Sequence, residues 1–186
     1  MDAIMIIIIC IVIIVCLITG IYMYLYNRIQ DYNIKINEIE SIIDNNLREK
    51  YDSINKGLNV IKNDEKIGNK IEKQTFDEIA KLKTRKISNF DLDRKLIEAN
   101  CEFEAIKQKY SSLEKNTDIK LITKKIGDCD EKLNINREYY NSNIAQYNKL
   151  VKLFPTNIVA KICKYKEKLY FDRKDMSDED YNDFKL

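Results

Sequence analysis

Residues Ala3 to Tyr26 read AIMIIIICIVIIVCLITGIYMYLY, and none of them is charged. Only Thr19 and Gly20 interrupt the apolar and aromatic run, and thirteen positions between Ile4 and Ile21 are Ile, Val or Leu. In water such a β-branched stretch favours strand. Its length decides otherwise: as a helix these 24 residues reach about 36 Å, against a hydrocarbon core of about 30 Å. In lipid a single segment must satisfy its own backbone hydrogen bonds, so it must be helical. At about −0.3 to −0.6 kcal/mol each, the aliphatic side chains contribute roughly −4 to −8 kcal/mol to insertion. Tyr22, Tyr24 and Tyr26 suit an interfacial belt. A cleaved signal peptide needs Lys or Arg before its core, a short core and a small-residue cleavage site. The chain has only Met1-Asp2 ahead of the run, and Cys16 follows Ile13-Ile14-Val15, so no lipoprotein-type site surrounds it.

From Asn27 onward 160 residues remain, enough for one modest domain. Gly (4) and Pro (1) are scarce and 33% of residues are charged, which argues against turn-rich β folds and for long helices. A net charge of +2 is too near balance to imply nucleic acid or an acidic lipid surface. There is no His, the commonest general base and metal ligand. The five cysteines include no CxxC pair, and scattered thiols of this kind fit a reducing compartment.

The first helix is expected to continue out of the span as one rod. Ile29, Tyr32, Ile36, Ile39 and Ile43 follow a 3-4-3-4 spacing, resumed by Leu47, Tyr51, Ile54, Leu58 and Ile61. The four-residue steps through Ile43, Leu47 and Tyr51 read as a stutter. Gly57 costs this helix about 1 kcal/mol relative to Ala. Asn63-Asp64 to Gly68-Asn69 is the first turn. Ile71, Thr75, Ile79 and Leu82, with Ile87, space a second helix, whose charged face reads as solvated. Ser88 and Asp91 form a capping box before a third helix to Tyr110, with Leu92, Leu96, Ile97, Phe103, Ile106 and Tyr110 on its apolar side. The break is short, so helices two and three are separate or form one kinked rod. Ser111 to Thr117 reads as a loop, with Asn116 or Thr117 capping the next helix.

The last long helix, Thr117 to Leu153, carries a seven-residue repeat: Ile119, Ile126, Leu133, Tyr140, Tyr147 and Phe154. Ile122, Cys129, Ile144 and Val151 fill companion positions, Asn136 and Asn143 mark the switch between them, and Gly127 is a weak point. Pro155 ends the helix. Asn157 to Tyr165 then reads as a short amphipathic helix with Ile158, Val159 and Ile162 inward. Residues 172–186 read as an acidic, mobile tail. Its Asp175, Asp178, Asp180 and Asp183 lack the Gly and terminal Glu of a calcium loop.

Within that last helix Arg137, Tyr140-Asn141, Tyr147-Asn148, Phe154-Pro155 and Ala160 stand at spacings that closely resemble the C-terminal signature of the LemA family, with Ile144 and Val151 between them. A second block agrees in order: Tyr26-Asn27, then Ser41, Ile43, Asp44, Leu47 and Arg48, then Tyr51-Asp52 and Ile54. The resemblance spans about residues 20–171. It departs at Glu40, Asn55 and Gly57, where the family usually has an aromatic, a Pro and an aliphatic residue. Through 65–110 it rests on helical pattern alone. It implies an N-terminal membrane helix, a small external N-terminus and an interior helical bundle, and no particular activity.

The combined expectation is an all-α protein: a transmembrane anchor over 1–27, an antiparallel up-and-down bundle of three to four long helices over 28–171, and the tail. No catalytic, cofactor-binding or metal-binding residue is assigned, and no cofactor. The expected partners are the lipid bilayer through residues 3–26, a protein partner and a second copy of the chain, with no nucleic acid. A non-catalytic scaffold or adaptor at the membrane surface is the leading function, and an accessory to membrane sensing the alternative. Arg28 and Lys35 after the span, and none before it, are a small bias that favours an external N-terminus and a cytoplasmic bundle.

Overall fold

The computed structural model describes residues 3–64, 67–68, 79 and 88–171. The protein is all-α, and no strand occurs among the described residues. Helix α1 (Ala3–Lys62) runs 60 residues without a break, a length of about 90 Å. Nothing between Tyr26 and Ile43 can stop it: no Pro, no Gly, and a regular apolar stripe. Its character changes at Leu25. Before that point nearly every side chain from Ala3 to Tyr24 is exposed and apolar. After it, a single face is buried: Leu25, Ile29, Ile36 and Ile39, then Ile43, Leu47, Tyr51, Ile54, Leu58 and Ile61. This is the one described helix long and apolar enough to cross a membrane.

α1 ends where the turn was expected. The Asp64 carbonyl accepts from the Ile67 and Gly68 amides at 3.2 and 2.8 Å. A Cβ at residue 68 would stand 2.2 Å from the Lys62 carbonyl oxygen, so only glycine lets the chain pass there. The second expected helix lies outside the described residues except for Ile79, which is helical and buried.

Helix α2 (Asn89–Lys109) starts afresh at Ser88, whose backbone is extended. Ser88 Oγ accepts from the Asp91 amide at 3.2 Å, the N-cap half of the capping box read from the sequence, and donates to Asp91 Oδ2 at 2.7 Å. Its buried side is Asp93, Leu96, Ala99 and Phe103. Ile97, expected inward, is exposed, because the buried face runs through Leu96 and Ala99 instead.

The expected loop after Tyr110 is instead a five-residue helix, α3 (Ser111–Lys115), formed because Leu113 buries its side chain there. Asn116 Oδ1 then accepts from the Asp118 and Ile119 amides at 2.8 and 3.3 Å and caps α4 (Thr117–Lys152). The repeat from Ile119 to Tyr147 is buried throughout. Phe154 is not: it is 78% exposed, because α4 stops at Lys152 before the stripe reaches it.

Helix α5 (Thr156–Ile162) buries a different face from the one expected. Thr156 Oγ1 donates to the carbonyls of Leu150 and Leu153 at 2.6 and 2.9 Å. That bond turns Thr156 inward, and Val159 and Ala160, one turn on, lie on the same face. Ile158 and Ile162 are left exposed. α5 closes in a Schellman motif: Tyr165 N bonds Ala160 O at 2.9 Å and Lys164 N bonds Lys161 O at 3.2 Å, with Lys164 at φ 57°.

The described residues pack as two units, one within 3–39 and 139–170 and one within 40–138 with Phe171, and the expected tail, 172–186, lies outside the described residues. In the first, residues after α5 run alongside α1: Cys163 meets Tyr22, Tyr165 meets Gln30, and Lys168 meets Asn37. In the second, α1 and α4 are antiparallel, as Lys50 pairs with Asp130 and Gly57 lies against Ile122. α2 and α4 are antiparallel too, as Asp93 pairs with Arg137 and Lys107 bonds Thr123.

Candidate functional site

Four charged side chains come together in the second unit: Lys50, Asp93 and Arg137 are buried, and Asp130 is partly exposed. Lys50 on α1 is only 2% exposed, and its Nζ lies 2.6 Å from Asp130 Oδ1 on α4. Asp93 on α2 and Arg137 on α4 are both buried, and Arg137 Nη2 donates to Asp93 Oδ1. Arg137 Nη1 also donates to Asn134 Oδ1 at 3.2 Å. The Phe171 ring lies 5.6 Å from the Arg137 guanidinium and stacks on Phe90, with ring centroids 4.5 Å apart. Two cations thus face two carboxylates across three helices. Taking such charges out of water is costly, and close pairing is what makes it tolerable. Burial pushes the Asp93 carboxyl above its usual range, with Arg137 and then Lys50 pulling against that rise. The cluster joins α1, α2 and α4 through the Lys50–Asp130 and Arg137–Asp93 pairs. The Cys129 thiol in the same unit is buried, which pushes its pKa up and keeps it protonated.

In the first unit, one asparagine binds a main-chain segment. Asn148 Nδ2 donates to the Lys168 carbonyl at 2.8 Å, and the Lys168 amide donates to Asn148 Oδ1 at 2.9 Å. The side-chain amide acts as a neighbouring strand would, satisfying both polar groups of an extended residue. Lys168 Nζ lies 5.6 Å from the centre of the Tyr147 ring. Burial pushes the Tyr147 hydroxyl up, and burial together with the Tyr26 hydroxyl pushes Tyr165 up to about 12. The neutral forms of both are therefore the folded forms at ordinary pH.

These positions coincide with the sequence signature: Arg137 in the charged cluster, Tyr147-Asn148 in the clasp, and Ile43, Leu47, Tyr51, Ile54, Tyr140 and Ile144 in the core. The LemA family pattern matches residues 39–182. The chain belongs to the LemA family. No curated protein and no solved structure matches it.

Not every family-type residue is explained by packing. Ser41, Arg48 and Asp52 are exposed on α1, and steps of seven and four place them on one face. Arg48 Nε donates to Asp44 Oδ2 at 2.8 Å, which holds the guanidinium on that face and raises its pKa. Beside Asp52 lies a shallow, open depression of about 200 Å³, lined by Asp52, Ser53, Lys56, Leu121, Ile122 and Lys125. That is smaller than the roughly 300–1,000 Å³ of a typical small-molecule site.

Lys50, Asp93 and Asp130 are absent from the sequence reading of the site, although a signal exists. Lys50 falls between Leu47 and Ile54 at 3-4 spacing, Asp93 precedes Leu96 by three, and Asp130 precedes Leu133 by three. Charges of opposite sign at core-spaced positions on different helices mark interior pairs.

Proposed function

We propose that this chain is a membrane-anchored, non-catalytic helical bundle that acts as a scaffold or adaptor at the membrane surface. The observation that carries the reading is α1 itself. Its first 24 residues have the length and composition of a bilayer span, and the same helix continues into the bundle core. The face bearing Ser41, Arg48 and Asp52 supplies the surface for a protein partner. Its side chains match the family pattern yet serve no core contact, which is what recognition at a surface requires. Arg28 and Lys35 after the span favour an external N-terminus and a cytoplasmic bundle.

A photo-cross-linking residue at Ser41 or Asp52, in cells, tests the partner reading. Cross-links of one defined mass from both positions, and none from the exposed Cys101 position on α2, are expected. Failure to capture a partner at any position, where known membrane complexes are captured, contradicts it.

The unbroken α1 favours a second reading, an accessory to membrane sensing. A continuous helix carries a shift or rotation from lipid to bundle. Inserting residues near Asn33 would then alter signalling output at normal protein level; an unchanged output would remove this reading.

A further inference from the structure

Where α4 ends, the first unit carries a row of uncovered apolar side chains. Phe154, Ile158 and Ile162 recur at four-residue spacing and are all exposed, Phe154 at 78% and Ile162 at 63%. Leu153 is exposed beside them. Thr156, Val159 and Ala160 take the buried face of α5, which leaves Ile158 and Ile162 on its outer face.

The height of this row relative to the span is fixed by contacts on α1. Tyr22 Oη lies 3.5 Å from Cys163 Sγ, and Tyr165 bonds Gln30 one turn beyond Tyr26. Tyr22 and Tyr26 are the aromatic pair at the end of the apolar run, with rings stacked 6.4 Å apart. Tyrosines in such a position sit at headgroup level. The C-terminal end of α5 is therefore level with the membrane interface. Around it stand Lys161, Lys164 and Lys166, all exposed, so cations surround the apolar row where anionic lipid phosphates would lie.

We propose that the α4–α5 corner is a second membrane contact, in which Phe154, Ile158 and Ile162 dip into the headgroup–acyl boundary while Lys161, Lys164 and Lys166 meet lipid phosphates. The occupant is the bilayer that holds the chain's own anchor. Seven helical residues would bind lipid weakly alone. Here the span keeps them at the surface, so the contact forms at high effective concentration. It fixes how the first unit stands on the membrane. The inference rests on the anchoring reading above.

The chain contains no Trp, so single substitutions report depth without background. Full-length Ile162→Trp, Val12→Trp and Ile34→Trp are reconstituted in vesicles of phosphatidylcholine with a minority of phosphatidylglycerol. Each is measured with lipids brominated either near the headgroup or deep in the acyl chain. Ile34 is also 63% exposed, but lies twelve residues beyond Tyr22 along α1, about 18 Å away. Expected are blue-shifted emission from Ile162→Trp that shallow bromines quench more strongly than deep ones, deep quenching of Val12→Trp, and no quenching of Ile34→Trp. If Val12→Trp is quenched while Ile162→Trp is not, the anchor stands and the second contact is overturned. That holds also if Ile162→Trp is blue-shifted but unquenched, since protein, such as a second copy of the chain, then covers it in place of lipid. If Val12→Trp itself is unquenched, the anchoring reading fails and this inference fails with it.

Discussion

Gly57 and Gly127 look alike in the sequence, two glycines inside helices, yet space treats them oppositely. A Cβ at Gly57 would lie 2.6 Å from Phe103 Cε2 and 3.3 Å from Ile122 Cγ2, so the missing side chain is where the α2 aromatic fits. A Cβ at Gly127 would meet nothing within 4 Å. Gly57→Ala is therefore expected to destabilise by about 1–3 kcal/mol through overpacking, while Gly127→Ala is expected to stabilise by up to about 1 kcal/mol. Thermal melts of the detergent-solubilised chain check both, and Phe103→Leu should recover part of the Gly57→Ala loss. The helix-propensity cost at Gly57 was legible from the sequence; its compensation was not, because it depends on a contact between residues 46 positions apart. The charged cluster shows the same limit. Spacing marks Lys50 and Asp93 as core positions, but only the fold pairs them with Asp130 and Arg137. Asp93→Ala strands the Arg137 guanidinium in the interior and should cost about 3–5 kcal/mol. pH separates charge from packing. The folded Asp93 pKa is raised above the ordinary 3.8. Its contribution to stability is therefore fully present below the unfolded value and lost as pH rises through the folded one. Asp93→Asn lacks this slope. The stability of the native chain relative to Asp93→Asn should fall as pH rises through that acid window, and a rise would contradict the raised pKa.

Elements were readable where one stripe decided them. The α4 repeat, the Ser88–Asp91 box and the Asn116 cap all stood in the sequence, because each depends on residues within a turn or two. What escaped were short pieces set by distant contacts. Leu113 folds a five-residue helix where polar composition reads as loop, and Thr156 rotates α5 by reaching back to the Leu150 carbonyl of α4. The extended residues after Lys164 belong to this class. No periodicity announces them, and Asn148 holds them by two main-chain bonds. Asn148→Leu keeps comparable bulk while removing both bonds, leaving buried polar groups unmet. It should cost about 1–3 kcal/mol. Hydrogen exchange should show amide protection lost at Lys168 first, with α4 retained; uniform loss across α4 would show that the clasp is not a local device.

At the scale of the whole molecule, the apolar run at residues 3–26 and the core stripe from Leu25 are parts of one helix. The fold class and the continuity of α1 were legible, since both derive from length and periodicity. Sidedness was not, because two basic residues after the span, Arg28 and Lys35, are a small charge bias. The most direct measurement places a cysteine on each side of the span. In Asp2→Cys, with Cys10 and Cys16 replaced by Ala, a membrane-impermeant maleimide is applied to intact cells and again after permeabilisation. The native Cys101, exposed on α2, reports on the bundle. The expected result is labelling at position 2 in intact cells and of Cys101 only after permeabilisation. Labelling of Cys101 in intact cells would contradict a cytoplasmic bundle, and protection of both sites until permeabilisation would contradict a helix that crosses the membrane.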